Sequence, residues 1–498
     1  MKARFLPLAM MAGILLSCTH TPQVNPNAIQ ISDNDLIQTS FGGLGVEWGV
    51  YEDTDKLDEA SWNRVYGNMD LLSPQMVRLM VNYDWFVENF DDKNDDDKSN
   101  DTWTYNFANK WGQNMFDLLT YCQKKRIEVA FGAWNVIGSV VYDEWTMFED
   151  STSDPRWAKI SVDVMDYLVN KLGFTCIRYL VNGNEPNFTG VKGVSKNYAN
   201  TFAKWSQGVK NIHAELNKRN LGHIKIVGGD TTGLQGTDEY FTGIAEGLSQ
   251  YVGDYGAHLY LSNYYIDNGL VQEEIEKMNA KIHAIDPGYG TERPVHIWEC
   301  GLLDGKNPTT DSNSLIKTVS YGVLMADFTT QCLLSGINGI TYWDFDDGMH
   351  FMYGEDGATS KKWGMFSSLS SDQSVDQERR PWFYSSALLT HLFRKGSKIY
   401  RGLSDKNFRS VAMVNDELGQ AGMVLVNRGL DDVEKEVSLT ATHTKGEKLY
   451  VYLFGEGYLR VNEKGIVTPN QIIDGDLGDN LKLKIPSDTV MIVSKEAL

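Results

Sequence analysis

A (β/α)8 barrel followed by a C-terminal antiparallel β-sandwich is the fold class that the sequence predicts, on three observations. Between residues 41 and 395, apolar runs of strand length alternate with amphipathic runs of helix length, eight of each. Alternation of this kind implies a parallel sheet covered by helices, and eight repeats suit closure into a barrel. After residue 395 the texture changes to short alternating runs separated by Asn, Asp and Gly, the mark of antiparallel sheets packed face to face. A doubly wound open sheet is the alternative to closure. It lacks support, because Gly42, Gly43 and Gly45 lie within the first strand run and not at a phosphate-cradling turn.

From the amino end, Lys2 and Arg4 form a positive flank before the apolar residues 5–16, a stretch too short for a permanent span. Leu15-Leu16-Ser17-Cys18 has the form of a bacterial lipobox. Residues 1–18 therefore predict a lipoprotein signal cut before Cys18, the candidate for lipidation, with 19–27 as a polar tether. An ordinary cleaved signal with a chance cysteine is the alternative. Thr19 in place of an aspartate after the cysteine favours the outer membrane, and so an exported protein held at the cell surface.

Residues 28–40 read as extended and could lend a strand to the sandwich, tying the two ends of the chain together. Barrel strands are predicted at 41–48, 76–82, 127–135, 176–184, 224–230, 255–260, 295–299 and 339–345. The spacing predicts helices at 61–72, 111–126, 156–172, 197–219, 236–250, 271–285, 313–335 and 381–395. The barrel is thus 41–395, and the sandwich 396–498 with strand runs at 410–414, 422–426, 449–454 and 489–493. About 470 residues beyond the leader are too many for one compact core, which agrees with a large domain and a smaller one.

A net charge of −20 repels nucleic acid and slows the encounter with polyanionic glycans, leaving neutral polysaccharide as the better partner. No later segment has the apolar length of a membrane span, so membrane contact is expected only through the anchor. Cys122, Cys176, Cys300 and Cys332 show no zinc or disulfide-framework spacing, and buried free thiols are the expectation. Asp91-Asp92-Lys93-Asn94-Asp95-Asp96-Asp97 offers oxygen ligands of the kind calcium prefers. It has neither the turn glycine nor the closing glutamate of an EF-hand, and reads as a solvated loop.

Side chains at the carboxyl ends of barrel strands converge on one face. Asn184-Glu185-Pro186 closes the fourth strand run, and Glu299 closes the seventh, after Val295-His296-Ile297-Trp298. Two carboxylates at one mouth are what glycosidic bond cleavage requires, one donating a proton to the leaving oxygen and the other attacking the anomeric carbon or activating water. Alone, Asn-Glu-Pro reads by default as a turn with its glutamate in solvent. The second glutamate and the barrel pattern favour the chemical reading.

At these residues a resemblance becomes specific. Val181-Asn182-Gly183-Asn184-Glu185-Pro186 resembles the strand-four motif of clan A glycoside hydrolases, in which Asn-Glu supplies the acid/base, and Ile297-Trp298-Glu299 is similar to their strand-seven nucleophile segment. Arg78 in Val77-Arg78-Leu79 looks like the strand-two arginine of that clan, His258 and Tyr260 like its strand-six pair, and Trp343 like its strand-eight aromatic. With the trailing sandwich and with Phe41-Gly42-Gly43 opening the first strand, the outline is closest to families 30 and 39.

The resemblance implies a retaining enzyme in which Glu299 is the nucleophile, Glu185 the acid/base and Asn184 a partner of the sugar 2-hydroxyl. Arg78 and Tyr260 would favour an anionic Glu299, and Glu185 would have to carry a proton near neutral pH. Arg78 could instead be a structural ion-pair partner, His258 a satisfied core histidine, and Trp343 rim packing. Trp134 and Asn135 are added as sugar-binding candidates, since aromatic faces stack on the C–H faces of pyranose rings. The expectation is internal cleavage of a neutral β-linked polysaccharide such as a β-glucan, with neither metal nor organic cofactor. An exo-acting β-glycosidase and a non-catalytic glycan-binding lipoprotein are the rivals.

Overall fold

In ring order the parallel strands are Gly43–Glu47, Met76–Val81, Glu128–Ala133, Ile177–Val181, a fifth strand in two pieces, Tyr255–Ser262, Val295–Leu303 and Gly339–Tyr342. The eighth pairs back onto the first, Gly339 opposite Gly43. The fifth completes the ring: its first piece, Lys225–Ile226, pairs with the fourth strand, and its second, Gly229–Thr232, pairs with the sixth. Gly228 sits at the break, where a β-carbon would lie 2.2 Å from the carbonyl oxygen of Asp254. The (β/α)8 class expected from the sequence is the one observed. This computed structural model describes residues 27–48, 57–91, 101–134, 151–187, 202–303, 313, 315–347, 363–369, 377–440, 446 and 448–498. Cys18 and the rest of residues 1–26, Asn135, and residues 92–97 of the acidic run lie outside them.

Alternation along the strands separates two cores. Val77, Leu79 and Val81 pack outward into the main apolar cluster beneath the helices, whereas Met76 and Met80 point inward with Tyr179, Val181, Val227 and Trp298. Glycines oppose these large interior side chains: a β-carbon on Gly45 would lie 2.7 Å from Met76 Cγ, and one on Gly256 2.7 Å from Trp298. Small residues facing large ones fill the barrel without voids.

Among the described residues the α-helices of eight residues or more are Glu59–Leu72, Lys110–Lys125, Pro155–Met165, Phe202–Lys218, Leu234–Gly247, Leu270–Ile285, Val319–Leu334 and Pro381–Leu392. Side-chain oxygens of Asp58, Asn109, Asp154 and Thr318 accept from backbone N–H groups in the first turns of four of them, satisfying donors that the helix itself cannot pair. The expected helix at 313–335 starts only at Val319, because Thr318 caps it there. The strand expected to stop at Glu299 runs on to Leu303, since its pairing with the sixth strand continues to Ser262 opposite Leu303.

Beyond the barrel, Gln471–Asp474, Lys448–Phe454, Thr489–Ser494, Gln420–Asn427, Phe408–Asn415, Lys398–Ser404 and Leu36–Gln38 form one sheet, in that order. Ala28–Ile31, Val433–Leu439 and Leu481–Ile485 form a second. The amino-terminal segment thus gives one strand to each sheet. Ile29, Ile31, Met423, Leu425, Val437, Leu439 and Met491 belong to the core between them. Helix Val319–Leu334 is buried from Tyr321 to Leu334. From it Asp327 receives Arg409 of the sandwich at 2.9 Å, with both side chains fully buried. The cysteines Cys122, Cys176, Cys300 and Cys332 are buried free thiols.

Candidate active site

A break in alternation aims Glu299 into the mouth. Ala257 pairs with Ile297 but His258 pairs with Glu299, so Trp298 is an extra residue in the seventh strand. A bulge of this kind sends two consecutive side chains to one face. Accordingly Trp298 packs in the barrel interior and Glu299 turns inward above it, while Ile297 and Cys300 on either side face the outer core. The fifth strand has a matching irregularity at Asp230, which has φ +56°. Glu185, four residues past the end of the fourth strand, is also left-handed at φ +43°, and its N–H donates to Asp230 O at 3.1 Å. Non-glycine residues in that region cost energy and cluster where function requires a particular aim.

Arg78 is the centre of the network. Its Nη1 donates to Glu299 Oε1 at 2.6 Å and to Glu47 Oε2 at 3.0 Å, while its Nη2 donates to Asn184 Oδ1 and Asp230 Oδ2, both at 2.8 Å. Tyr260 donates its hydroxyl to Glu299 Oε2 at 2.6 Å. His258 Nδ1 lies 3.0 Å from Glu185 Oε1 and 3.3 Å from Glu299 Oε2, and its Nε2 lies 2.9 Å from Asp230 Oδ1. One ligand-type atom each from Glu185, His258 and Glu299 falls within 4.8 Å of the others. The two predicted carboxylates therefore lie beside each other. Glu299 is buried, whereas the Glu185 side chain keeps 18% of its exposure.

These contacts set the charges. Burial acts to lower His258, but Glu299 and Asp230 raise it to about 10. An imidazolium satisfies both ring nitrogens, each of which faces a carboxylate oxygen. In that form the ring donates from both nitrogens and ties Glu185, Glu299 and Asp230 together by charge-assisted hydrogen bonds. Burial would raise Asp230, yet Arg78 and His258 hold it below the ordinary carboxylate range. Burial pushes Glu299 up, opposed by His258 and Arg78. Burial and the neighbouring Glu299 and Glu185 push the Tyr260 hydroxyl far above its usual value, keeping it a donor.

Trp134, Trp343, Trp363 and Tyr260 line one aromatic cluster beside the carboxylates. Trp134 and Trp343 meet edge to face at 5.5 Å, Tyr260 and Trp363 at 5.1 Å, and the Arg78 guanidinium lies 5.6 Å from the Trp134 ring centre. Other aromatics near the strand ends serve packing: Trp48 and Tyr83 are fully buried against Trp62 and Trp157. Glu185, Glu299, Asn184, Arg78, His258, Tyr260, Trp343 and Trp134 thus come together. Glu47 and Asp230 join them without having been picked out in the sequence. Both are carboxylates at the end of a buried apolar run, the signal that marked Glu299. Trp363 lies in a loop after the eighth strand and carries no local signal.

No family model matches the sequence, and no curated protein matches it. Solved structures do match. The catalytic domain of the GH30 xylanase C from Talaromyces cellulolyticus aligns with a TM-score of 0.64 at 14% identity, covering 94% of this chain and 100% of that one. The GH39 enzyme from Xanthomonas axonopodis pv. citri aligns with a TM-score of 0.60 at 14% identity, covering 98% and 100%. A monomeric β-xylosidase from Caulobacter crescentus CB15 gives 0.60 at 13% identity, covering 95% and 100%. At these identities the likeness establishes a common fold over nearly the whole chain. Two of these structures are from families 30 and 39, the two whose outline the sequence resembles.

Proposed function

We propose that this protein is a retaining β-glycosidase that cleaves a neutral β-linked polysaccharide by double displacement. The observation that carries the reading is the closeness of the two carboxylates, one oxygen of Glu185 lying within 4.8 Å of one oxygen of Glu299, which favours the shorter of two known spacings. Retaining enzymes hold these groups about 5–5.5 Å apart, whereas inverting ones leave about 6.5–9.5 Å for a water. Glu299, gripped by Arg78 and Tyr260, attacks the anomeric carbon as Glu185 gives its proton to the departing oxygen. A glycosyl ester on Glu299 results. Water then attacks the same carbon, its proton passes to Glu185, and Glu299 leaves as carboxylate.

The substrate is a neutral glycan because a chain of net charge −20 disfavours polyanions. Xylan joins β-glucan at the head of the test panel, since xylanases and a β-xylosidase share the fold. Internal cleavage is the preferred mode, in keeping with a lipoprotein anchored through Cys18 on the outer membrane. Incubation with a polysaccharide panel, reading product length and anomeric configuration at early times, should give long fragments with retained configuration. Single sugars would make the enzyme exo-acting, inverted products would overturn the double displacement, and glycan retention without reducing ends would make it a binder. Glu299→Gln should abolish turnover, and Cys18→Ala should abolish labelling by a fatty acid.

A further inference from the structure

Two buried carboxylates stand in the site with no part in the double displacement, Asp230 and Glu47. Asp230 is fully engaged, with one oxygen on Arg78 and the other on His258. Glu47 is engaged on one side only. Its Oε2 takes Arg78 Nη1, the nitrogen that also grips Glu299, while its Oε1 is buried with no hydrogen-bond partner among the described residues.

An ionised carboxylate spreads its charge over both oxygens, so burying one without a donor is expensive. The surrounding charges point the same way. Facing Glu47 are Arg78 from the second strand, Asp230 from the fifth, Glu299 from the seventh and Asp344 just past the eighth. Arg78 and His258 already have Asp230 and Glu299 as counter-ions. A third buried anion would draw Arg78 away from the nucleophile.

Resting on the glycosidase reading above, we propose that Glu47 is a positioning residue, held as a neutral carboxyl, that fixes Arg78 Nη1 against Glu299 without competing for its charge. Burial pushes Glu47 up, Arg78 pulls it back and Glu299 adds to the rise, leaving it at about 8. The neutral form therefore prevails through the acid and neutral range.

Three variants and one spectrum test this. Glu47→Ala frees one side of Arg78 and should lower kcat by about tenfold to a hundredfold with KM nearly unchanged, since small misplacements of a reacting group cost that much. Glu47→Gln, an isostere of the neutral acid, should restore most of kcat and leave the acidic limb of kcat/KM in place. That limb reports ionisation of Glu299, so its downward displacement would mean that a charge had been removed, overturning the neutral assignment. A Glu47→Ala variant with wild-type kcat would overturn the positioning role. Carbon-13 NMR of labelled glutamate carboxyls, with Glu47 identified by its loss in Glu47→Gln, should show this group still protonated at neutral pH; titration in the ordinary glutamate range overturns the proposal independently of activity. Glu299→Gln serves as the separate control, because full activity there sinks the assignment of Glu299 as nucleophile, and with it the proposed mechanism, while the carboxyl titration still decides the state of Glu47.

Discussion

The phenolic oxygen of Tyr260 stands 2.6 Å from Glu299 Oε2, on a side chain two residues from His258 in the same strand. Alternation puts both on the inner face, and the bulge at Trp298 brings Glu299 down to meet them. Burial pushes Glu299 up, and the hydroxyl, donating to its anionic form, joins His258 and Arg78 in opposing that rise.

Tyr260→Phe should therefore move the acidic limb of kcat/KM to higher pH. Loss of a hydrogen bond to a charged group amounts to about 1.5–3 kcal/mol, so kcat/KM should fall by about tenfold or more below the optimum. A pH series of initial rates checks both the sign and the size.

His258 carries a positive charge up to about pH 10, and that charge opposes the rise that burial imposes on Glu299. In His258→Asn the limb should also move upward, and acid conditions should suffer more than neutral ones. An unchanged limb with a uniformly lower kcat would mean that the ring acts only by shape.

Trp363→Ala opens the wall against Tyr260. An aromatic contact is worth about 0.5–1.5 kcal/mol beyond its area, so KM for a polysaccharide should rise up to about tenfold. Steady-state kinetics on long and short substrates would show whether the loss grows with chain length.

Arg409→Met leaves Asp327, which takes no part in the hydrogen bonds around Glu185 and Glu299, buried without its strongest partner. Breaking a buried pair from one side costs about 3–5 kcal/mol. Denaturant unfolding should show that loss, while the pH profile of activity on folded protein keeps its shape.

Glu185, Glu299, Arg78 and Tyr260 were legible because short motifs at strand ends carry them. The eight strands and eight helices were legible from periodicity alone. Less so was the aim of Glu299: strict alternation from Ile297 would have sent it outward, and only the pairing of His258 with Glu299 reveals the extra residue. Glu47 and Asp230 escaped notice because a single carboxylate after an apolar run is common, and what distinguishes these two is Arg78, distant in sequence and 3.0 and 2.8 Å away in space. At the break in the fifth strand Gly228 lies so close to the Asp254 carbonyl that a β-carbon would not fit, a backbone approach that no side-chain pattern records.

Leu36 and Gln38 pair with Tyr400 and Ile399, and Ala28–Ile31 with the strand Val433–Leu439. The barrel is therefore an insertion within the sandwich, and the two halves distinct in space are not separable along the chain. A fragment beginning at residue 41 would strip an edge from each sheet, while one ending at residue 395 would leave residues 28–38 with no ladder to join. Exposed edges of that sort recruit other chains. During synthesis the first strands must wait for the entire barrel to emerge before their partners exist, a long-range closure that makes folding slow.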